Sequence, residues 1–185
     1  VKETRSTLIE SNDQMQLTGT PIIFDQEAVI NDRLGKYKEV IKRGALDGAD
    51  LTDIRLLYNH DMNKIPLART PKTMAFNVDE KGLHMMATLP DTEEAKAVHT
   101  AVSRGDLSGM SFTFTVPKGG SSYDSKTNTR TISKIAKVYE CSVVPFPAYQ
   151  QTSVEARAEM TDAQGQEIAR QQLKIKVNQI MRKGW

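Results

Sequence analysis

Apolar and polar residues alternate with a period of two in several separate stretches of this chain. That rhythm limits the fold more than any other feature. Met110, Phe112, Phe114 and Val116 alternate with Ser111, Thr113 and Thr115. Ile54, Leu56 and Tyr58 alternate with Arg55, Leu57 and Asn59, in a strand predicted to end at His60. Successive side chains of a strand point to opposite faces, so each run presents one apolar and one polar face. Short β-type runs also occur at Thr7-Leu8-Ile9 and from Gln16 to Phe24. Met74-Ala75-Phe76-Asn77-Val78 and the run from Gly82 to Leu89 flank Asp79-Glu80-Lys81-Gly82, which reads as a hairpin turn. The first three-quarters of the chain is therefore expected to be mainly β.

Two helices are predicted. Asp91 can cap the first, with Glu94 as its capping-box partner, and Ala95, Val98 and Val102 form its apolar stripe. Arg104 and Gly105 end it. The second lies at the C-terminus. Thr161 and Gln164 make a capping box there, and Ala169, Leu173, Val177 and Ile180 share one face. No acidic residue follows Glu167, whereas Arg170, Lys174, Lys176, Arg182 and Lys183 are basic. The chain is accordingly divided into a main domain, residues 1–157, and a C-terminal amphipathic helix or tail, residues 158–185. Between Pro117 and Asn128 the sequence is polar and rich in Gly and Ser, and is read as a long mobile surface loop.

Bulk properties narrow the function classes. A chain of 185 residues suits one domain and can bury a real core. Hydrophobic residues make up 38% and charged residues 26%, an ordinary globular balance. A formal charge of +2 gives no case for nucleic acid as a main partner. No apolar run approaches the ~20 residues of a membrane helix, so no membrane partner is expected. No charged n-region followed by an apolar h-region opens the sequence, so export is not expected. The single Cys141 rules out an internal disulfide and a Cys-cluster metal site, and a reducing, cytoplasmic setting is expected. His60, His84 and His99 are scattered without ligand spacing, so neither a metal nor a cofactor is expected.

Three residues on three strand-like segments suit catalysis. His60 lies in Leu56-Leu57-Tyr58-Asn59-His60-Asp61, and Ser111 lies in Gly109-Met110-Ser111-Phe112. Glu140 lies in Val138-Tyr139-Glu140-Cys141-Ser142-Val143-Val144. A serine is a weak nucleophile unless a base takes its proton, and the base must be oriented by a third group. Each residue also has a plainer reading. Ser111 alone is a small polar residue on the open face of a half-buried strand, and it stands outside any Gly-x-Ser-x-Gly elbow. Ser108 is a rival nucleophile in the Gly105–Gly109 turn, where serines commonly make local backbone bonds. His60 alone is a polar strand end, and His84 and His99 read as structural or exposed. Asp61 beside it would point away. Glu140 alone is a solvated face or a structural ion pair. Alternation places it with Val138 and Ser142, opposite Tyr139, Cys141 and Val143. That puts Cys141, the alternative nucleophile, in the core. The sharper reading has Glu140 accepting the Nδ1–H of His60.

The same segments carry a family resemblance. The strand ending in Asn59-His60-Asp61, the run Gly105-Asp106-Leu107-Ser108-Gly109-Met110-Ser111-Phe112 and the block Glu140-Cys141-Ser142-Val143-Val144 with Pro147-Ala148 resemble the HK97-type prohead proteases of tailed bacteriophages. Upstream, Glu39-Val40-Ile41-Lys42-Arg43-Gly44-Ala45-Leu46 resembles the family's Glu-x-Ile-x-x-Gly-Ala-Phe segment. The resemblance covers about residues 15 to 155, in the family's order.

The resemblance implies an assemblin-like β-barrel flanked by α-helices, as in the herpesvirus proteases, with the catalytic order His, Ser, then a third residue. It implies His60 as base, Ser111 as nucleophile and Glu140 in the place of the herpesvirus second histidine. It implies a homo-oligomeric serine endopeptidase in the host cytoplasm, inside the procapsid. The implied substrates are the scaffolding segment of the major capsid protein and the protease itself. Pro147-Ala148-Tyr149-Gln150-Gln151 offers no counterpart to the herpesvirus arginine pair, so oxyanion donors would be backbone N–H groups or a bridging water. Two other classes stay open at this level. One is a catalytically inactive scaffold or capsid-assembly protein on the same fold, and the other is a β-barrel binding module.

Overall fold

The computed structural model describes residues 9–12, 14–32, 35–145 and 158–159. Thirteen strands and one helix follow in order. They are β1 (Ile9–Asn12), β2 (Gln16–Ile23), β3 (Glu27–Asp32), β4 (Gly35–Ile41), β5 (Arg55–Tyr58), β6 (Ala68–Arg69), β7 (Met74–Val78), β8 (Gly82–Thr88), α1 (Glu93–Ser103), β9 (Gly109–Thr115), β10 (Ser121–Asp124), β11 (Thr129–Ile132), β12 (Lys137–Val144) and β13 (Ala158–Glu159). The strands form three sheets, β1-β2-β8-β7, β10-β11-β4-β3 and β13-β9-β12-β5-β6.

The mainly-β expectation therefore holds, but the described residues do not close into a barrel. Closure requires the first and last strands of a sheet to pair, and here each sheet keeps two distinct edges. A single helix accompanies the sheets among the described residues. The C-terminal helix expected over 161–185 lies outside the described residues.

One buried cluster joins the layers. Leu17, Ile22, Leu83 and Met85 come from the first sheet, Ile41 and Ile132 from the second, and Leu56, Phe114, Cys141 and Val143 from the third. Ala95, Val98 and Val102 dock α1 onto it, as the helical spacing predicts. The helix starts one residue later than expected. Thr92 is the N-cap, and its hydroxyl accepts from the Ala95 N–H at 3.4 Å. Asp91 instead sits 2.5 Å from Lys96 Nζ. Either oxygen-bearing side chain can cap a helix, so sequence alone does not separate these neighbours.

The Gly/Ser-rich stretch is ordered structure, not the expected loop. Ser121–Asp124 pair with Thr129–Ile132 as an antiparallel hairpin. Its turn rests on side-chain chemistry. Asp124 accepts from the Lys126 N–H at 2.8 Å and from the Thr127 hydroxyl at 3.0 Å, and Asn128 has φ +54°. Short polar side chains of this type replace backbone turn bonds and tolerate the left-handed region. The hairpin is anchored below by β11, whose Arg130 lies beside Glu39 on β4. Arg130 Nη1 and Glu39 Oε2 are 2.9 Å apart, and both residues are buried.

A close approach fixes the junction of β2 and β8. A Cβ on Gly82 would lie 2.0 Å from the Ile22 carbonyl oxygen. Backbone must therefore move to admit any other residue. Gly82→Ala is expected to destabilise the fold by about 1–3 kcal/mol, as overpacking does. In a chain of this size that lowers Tm by roughly 2–4 °C per kcal/mol. A melting curve unchanged by Gly82→Ala would contradict the packing described here.

Candidate active site

The third sheet builds the site from three neighbouring strands. β12 lies at the centre, antiparallel to β9 and parallel to β5. Register sets Ser142 opposite Ser111 and Glu140 opposite Thr113. Directly paired residues share a face, so Ser111, Thr113, Glu140 and Ser142 form one polar patch. Met110, Phe112 and Phe114 share the other face with Val143, Cys141 and Val138.

A β-bulge makes this division possible. The register shifts between Val138 and Glu140, leaving Tyr139 as the extra residue. Simple alternation would put Val138 on the face of Glu140. The bulge resets the parity, so Val138 turns into the core while Glu140 joins the polar patch. Tyr139 is the side chain turned outward.

His60 reaches the patch from the end of β5. The strand stops at Tyr58, two residues before the predicted end. Asn59 and His60 then take left-handed φ values of +52° and +58°, and the Asp61 N–H donates back to the Tyr58 carbonyl at 3.1 Å. Asn and His are among the non-glycine residues that adopt this region most readily. The Asn59 N–H donates to the Val143 carbonyl at 2.9 Å, and the His60 N–H donates to Ser142 Oγ at 3.1 Å. The turn is thus stitched to β12.

Glu140 is the hub. Its Oε1 lies 2.8 Å from His60 Nδ1 and accepts from the Thr113 hydroxyl at 2.6 Å. Its Oε2 accepts from the Ser142 hydroxyl at 2.5 Å. The residue is only 4% exposed. A carboxylate held away from water needs such donors, because desolvation without them is costly. An ionised carboxylate only accepts, so the hydrogen of neutral His60 sits on Nδ1. That tautomer leaves Nε2 as a base. Nε2 is buried and has no hydrogen-bond partner among the described residues. Ser111 stands in the same patch, opposite Ser142, and is 2% exposed.

All three predicted residues therefore come to one patch on one sheet. The other candidates lie elsewhere. Asp61 caps its own loop, accepting from the Asn63 N–H at 3.0 Å. His84 sits on β8, with Nδ1 3.0 Å from Thr20 Oγ1 and Nε2 2.9 Å from Asp79 Oδ1. Ser108 precedes β9, outside its pairing with β12. Sequence reasoning gave no role to Thr113 or Ser142. The signal was present, since each stands two residues along a strand from a predicted site residue.

Cys141 is fully buried on the opposite face, and burial pushes its thiol well above the ordinary range, with the nearby Glu140 charge adding to the rise. The thiolate, not the thiol, is the reactive form. Cys141 in the native protein is expected to resist iodoacetamide at neutral pH and to react fully in denaturant. Rapid native-state labelling, read by mass spectrometry, would place Cys141 at an accessible site and contradict this packing.

Neither a search of curated proteins nor one of solved structures returns a significant match. Among the described residues no group of His, Cys, Asp and Glu could hold a metal ion, and no helix is long and apolar enough to cross a membrane. A family profile described as caudovirus prohead serine protease matches residues 2–167. That span contains every residue of the polar patch and most of the chain, so the protein belongs to the caudovirus prohead serine protease family.

Proposed function

We propose that this chain is a serine endopeptidase that cleaves the scaffolding segment of a phage major capsid protein, and itself, during prohead maturation. The family supports a capsid-maturation protease in general terms. The observation that carries the residue assignment is the 2.8 Å His60–Glu140 contact beside Ser111 on the adjacent strand.

In this reading His60 Nε2 takes the Ser111 hydroxyl proton as Oγ attacks the peptide carbonyl carbon. The tetrahedral intermediate collapses, and the leaving amine departs with that proton. Water then attacks the acyl-enzyme, giving its proton to Nε2, and Ser111 regains one as the acyl group leaves. Glu140 orients the ring and stabilises the imidazolium formed in each half-reaction. Ser111 is 2% exposed, so its hydroxyl lies within the packed sheet beside the other groups of the patch. The enzyme's partners in this reading are the capsid protein and further copies of itself.

In this reading the segment 161–185, expected from its sequence to form an amphipathic helix, docks on a partner, because a lone helix of that length is marginal in water. Truncation after Met160 keeps β13 and removes only this segment. It is expected to abolish incorporation into procapsids while sparing peptide cleavage by the free enzyme. Loss of folding would instead make the segment part of the core.

Co-expression with the cognate capsid protein, followed by intact-mass spectrometry, tests the activity. Ser111→Ala and His60→Ala are expected to lower kcat by on the order of 10⁶, because nucleophile and base act as a unit. Glu140→Gln is expected to cost on the order of 10⁴ or less. Wild-type levels of capsid cleavage in Ser111→Ala would remove Ser111 as nucleophile.

A further inference from the structure

Ser142 occupies a position that the triad reading leaves without a task. It is wholly buried at the centre of β12, flanked by Ser111 on β9 and Leu57 on β5. Its Oγ touches both members of the His60–Glu140 pair. It receives the His60 backbone N–H at 3.1 Å and gives its own hydrogen to Glu140 Oε2 at 2.5 Å. The direction of both bonds is forced. A backbone N–H can only donate and an ionised carboxylate can only accept, so the Ser142 hydrogen has one place to go.

These contacts close a ring. It runs from the His60 N–H to Ser142 Oγ, across both oxygens of Glu140 to His60 Nδ1, and through the His60 side chain back to its backbone. The ring ties the imidazole to the left-handed backbone that carries it. His60 holds φ +58°, a conformation uncommon for a non-glycine residue, and the Ser142 bond is one restraint that keeps it there. Without that hydroxyl, Glu140 Oε2 loses its donor and the His60 N–H its acceptor. The carboxylate is then held through Oε1 alone, by His60 and Thr113, and the turn is bonded to β12 only by its Asn59 N–H at the Val143 carbonyl, so both are less tightly restrained.

We propose that Ser142 is a positioning residue for the hydrolytic reaction, one that sets the orientation of His60 by holding its backbone and its carboxylate partner at once. This rests on the serine-protease reading. Its commitment to Glu140 also separates it chemically from Ser111, since its only hydrogen is already donated and cannot pass to His60 Nε2. Displacing a catalytic group by about 1 Å can cost on the order of 100-fold in rate. Ser142→Ala is therefore expected to lower kcat by about 10- to 100-fold while KM stays within about twofold. A hydroxyl that served packing alone would lower Tm and leave kcat untouched.

The experiment uses the full chain labelled with ¹⁵N-histidine. Steady-state cleavage of a capsid-derived peptide gives kcat and KM, and the His60 Nδ1–H proton resonance reports the ring directly. The wild-type protein is expected to show a sharp downfield Nδ1–H resonance that Glu140→Gln abolishes. In Ser142→Ala that resonance is expected to broaden or vanish as kcat falls. Ser142→Thr retains the hydroxyl and is expected to recover both readouts. Should Ser142→Ala fail to fold, Ser142→Cys supplies a weak donor of similar size and is expected to show the same losses. A Ser142→Ala or Ser142→Cys protein with wild-type kcat and an unchanged Nδ1–H resonance would overturn the proposal. The resonance needs no turnover. A wild-type protein that cleaves nothing would thus remove the protease reading, while the resonance still decides the role of Ser142.

Discussion

The Glu140 carboxylate is taken out of water, and among the described residues no lysine or arginine is paired with it. Three donors meet it, from His60, Thr113 and Ser142. A buried acceptor left short of a donor costs about 1–3 kcal/mol, and more when it is charged. That penalty ties three strands together. Thr113 comes from β9, Ser142 from β12 itself, and His60 from the turn beyond β5. The carboxylate can sit where it does only if all three strands hold their register, so the site and the sheet depend on the same contact.

Two local departures from regular structure deliver that contact. The bulge at Tyr139 changes which face β12 offers, and the left-handed pair Asn59–His60 turns the chain back toward β12. Neither is a loose region. The turn is bonded to Val143 and Ser142, and the bulge lies between Val138 in the core and Glu140 in the patch. The core face beneath is continuous from Phe114 through Val138 to Cys141 and Val143. A packed layer on one face supports a polar constellation on the other, which keeps the side chains within narrow limits.

Much of this was legible in the sequence, for physical reasons. Alternation in Met110–Val116 shows which β9 side chains share a face, and the stripe Ala95–Val98–Val102 marks the buried side of α1. Register and bulges are not written in a single strand's pattern. Alternation alone therefore puts Val138 on the wrong face, and the choice between barrel and open sheets depends on pairings between distant segments. The stretch Pro117–Asn128 misled because its composition is loop-like. Its Asp124, Thr127 and Asn128 are nonetheless turn-formers that close a hairpin. The segment Glu39–Leu46, which carried part of the resemblance, proves structural. Glu39 meets Arg130 in the second sheet, Gly44 takes φ +82°, and Ala45 and Leu46 enter the core. Alternation puts Ser142 on the right face but gives it no task, because a hydroxyl's role depends on which partners the fold brings within reach.

The central claim is that Ser111 is the group His60 activates. A fluorophosphonate reacts with a serine only where a neighbouring base raises its nucleophilicity, so the adduct's position identifies that serine. Peptide mapping by mass spectrometry after treatment of the intact protein reads it directly. The account predicts a single adduct on Ser111, lost in His60→Ala. An adduct on Ser108 or Ser142, or a Ser111 adduct that forms equally well without His60, would contradict it.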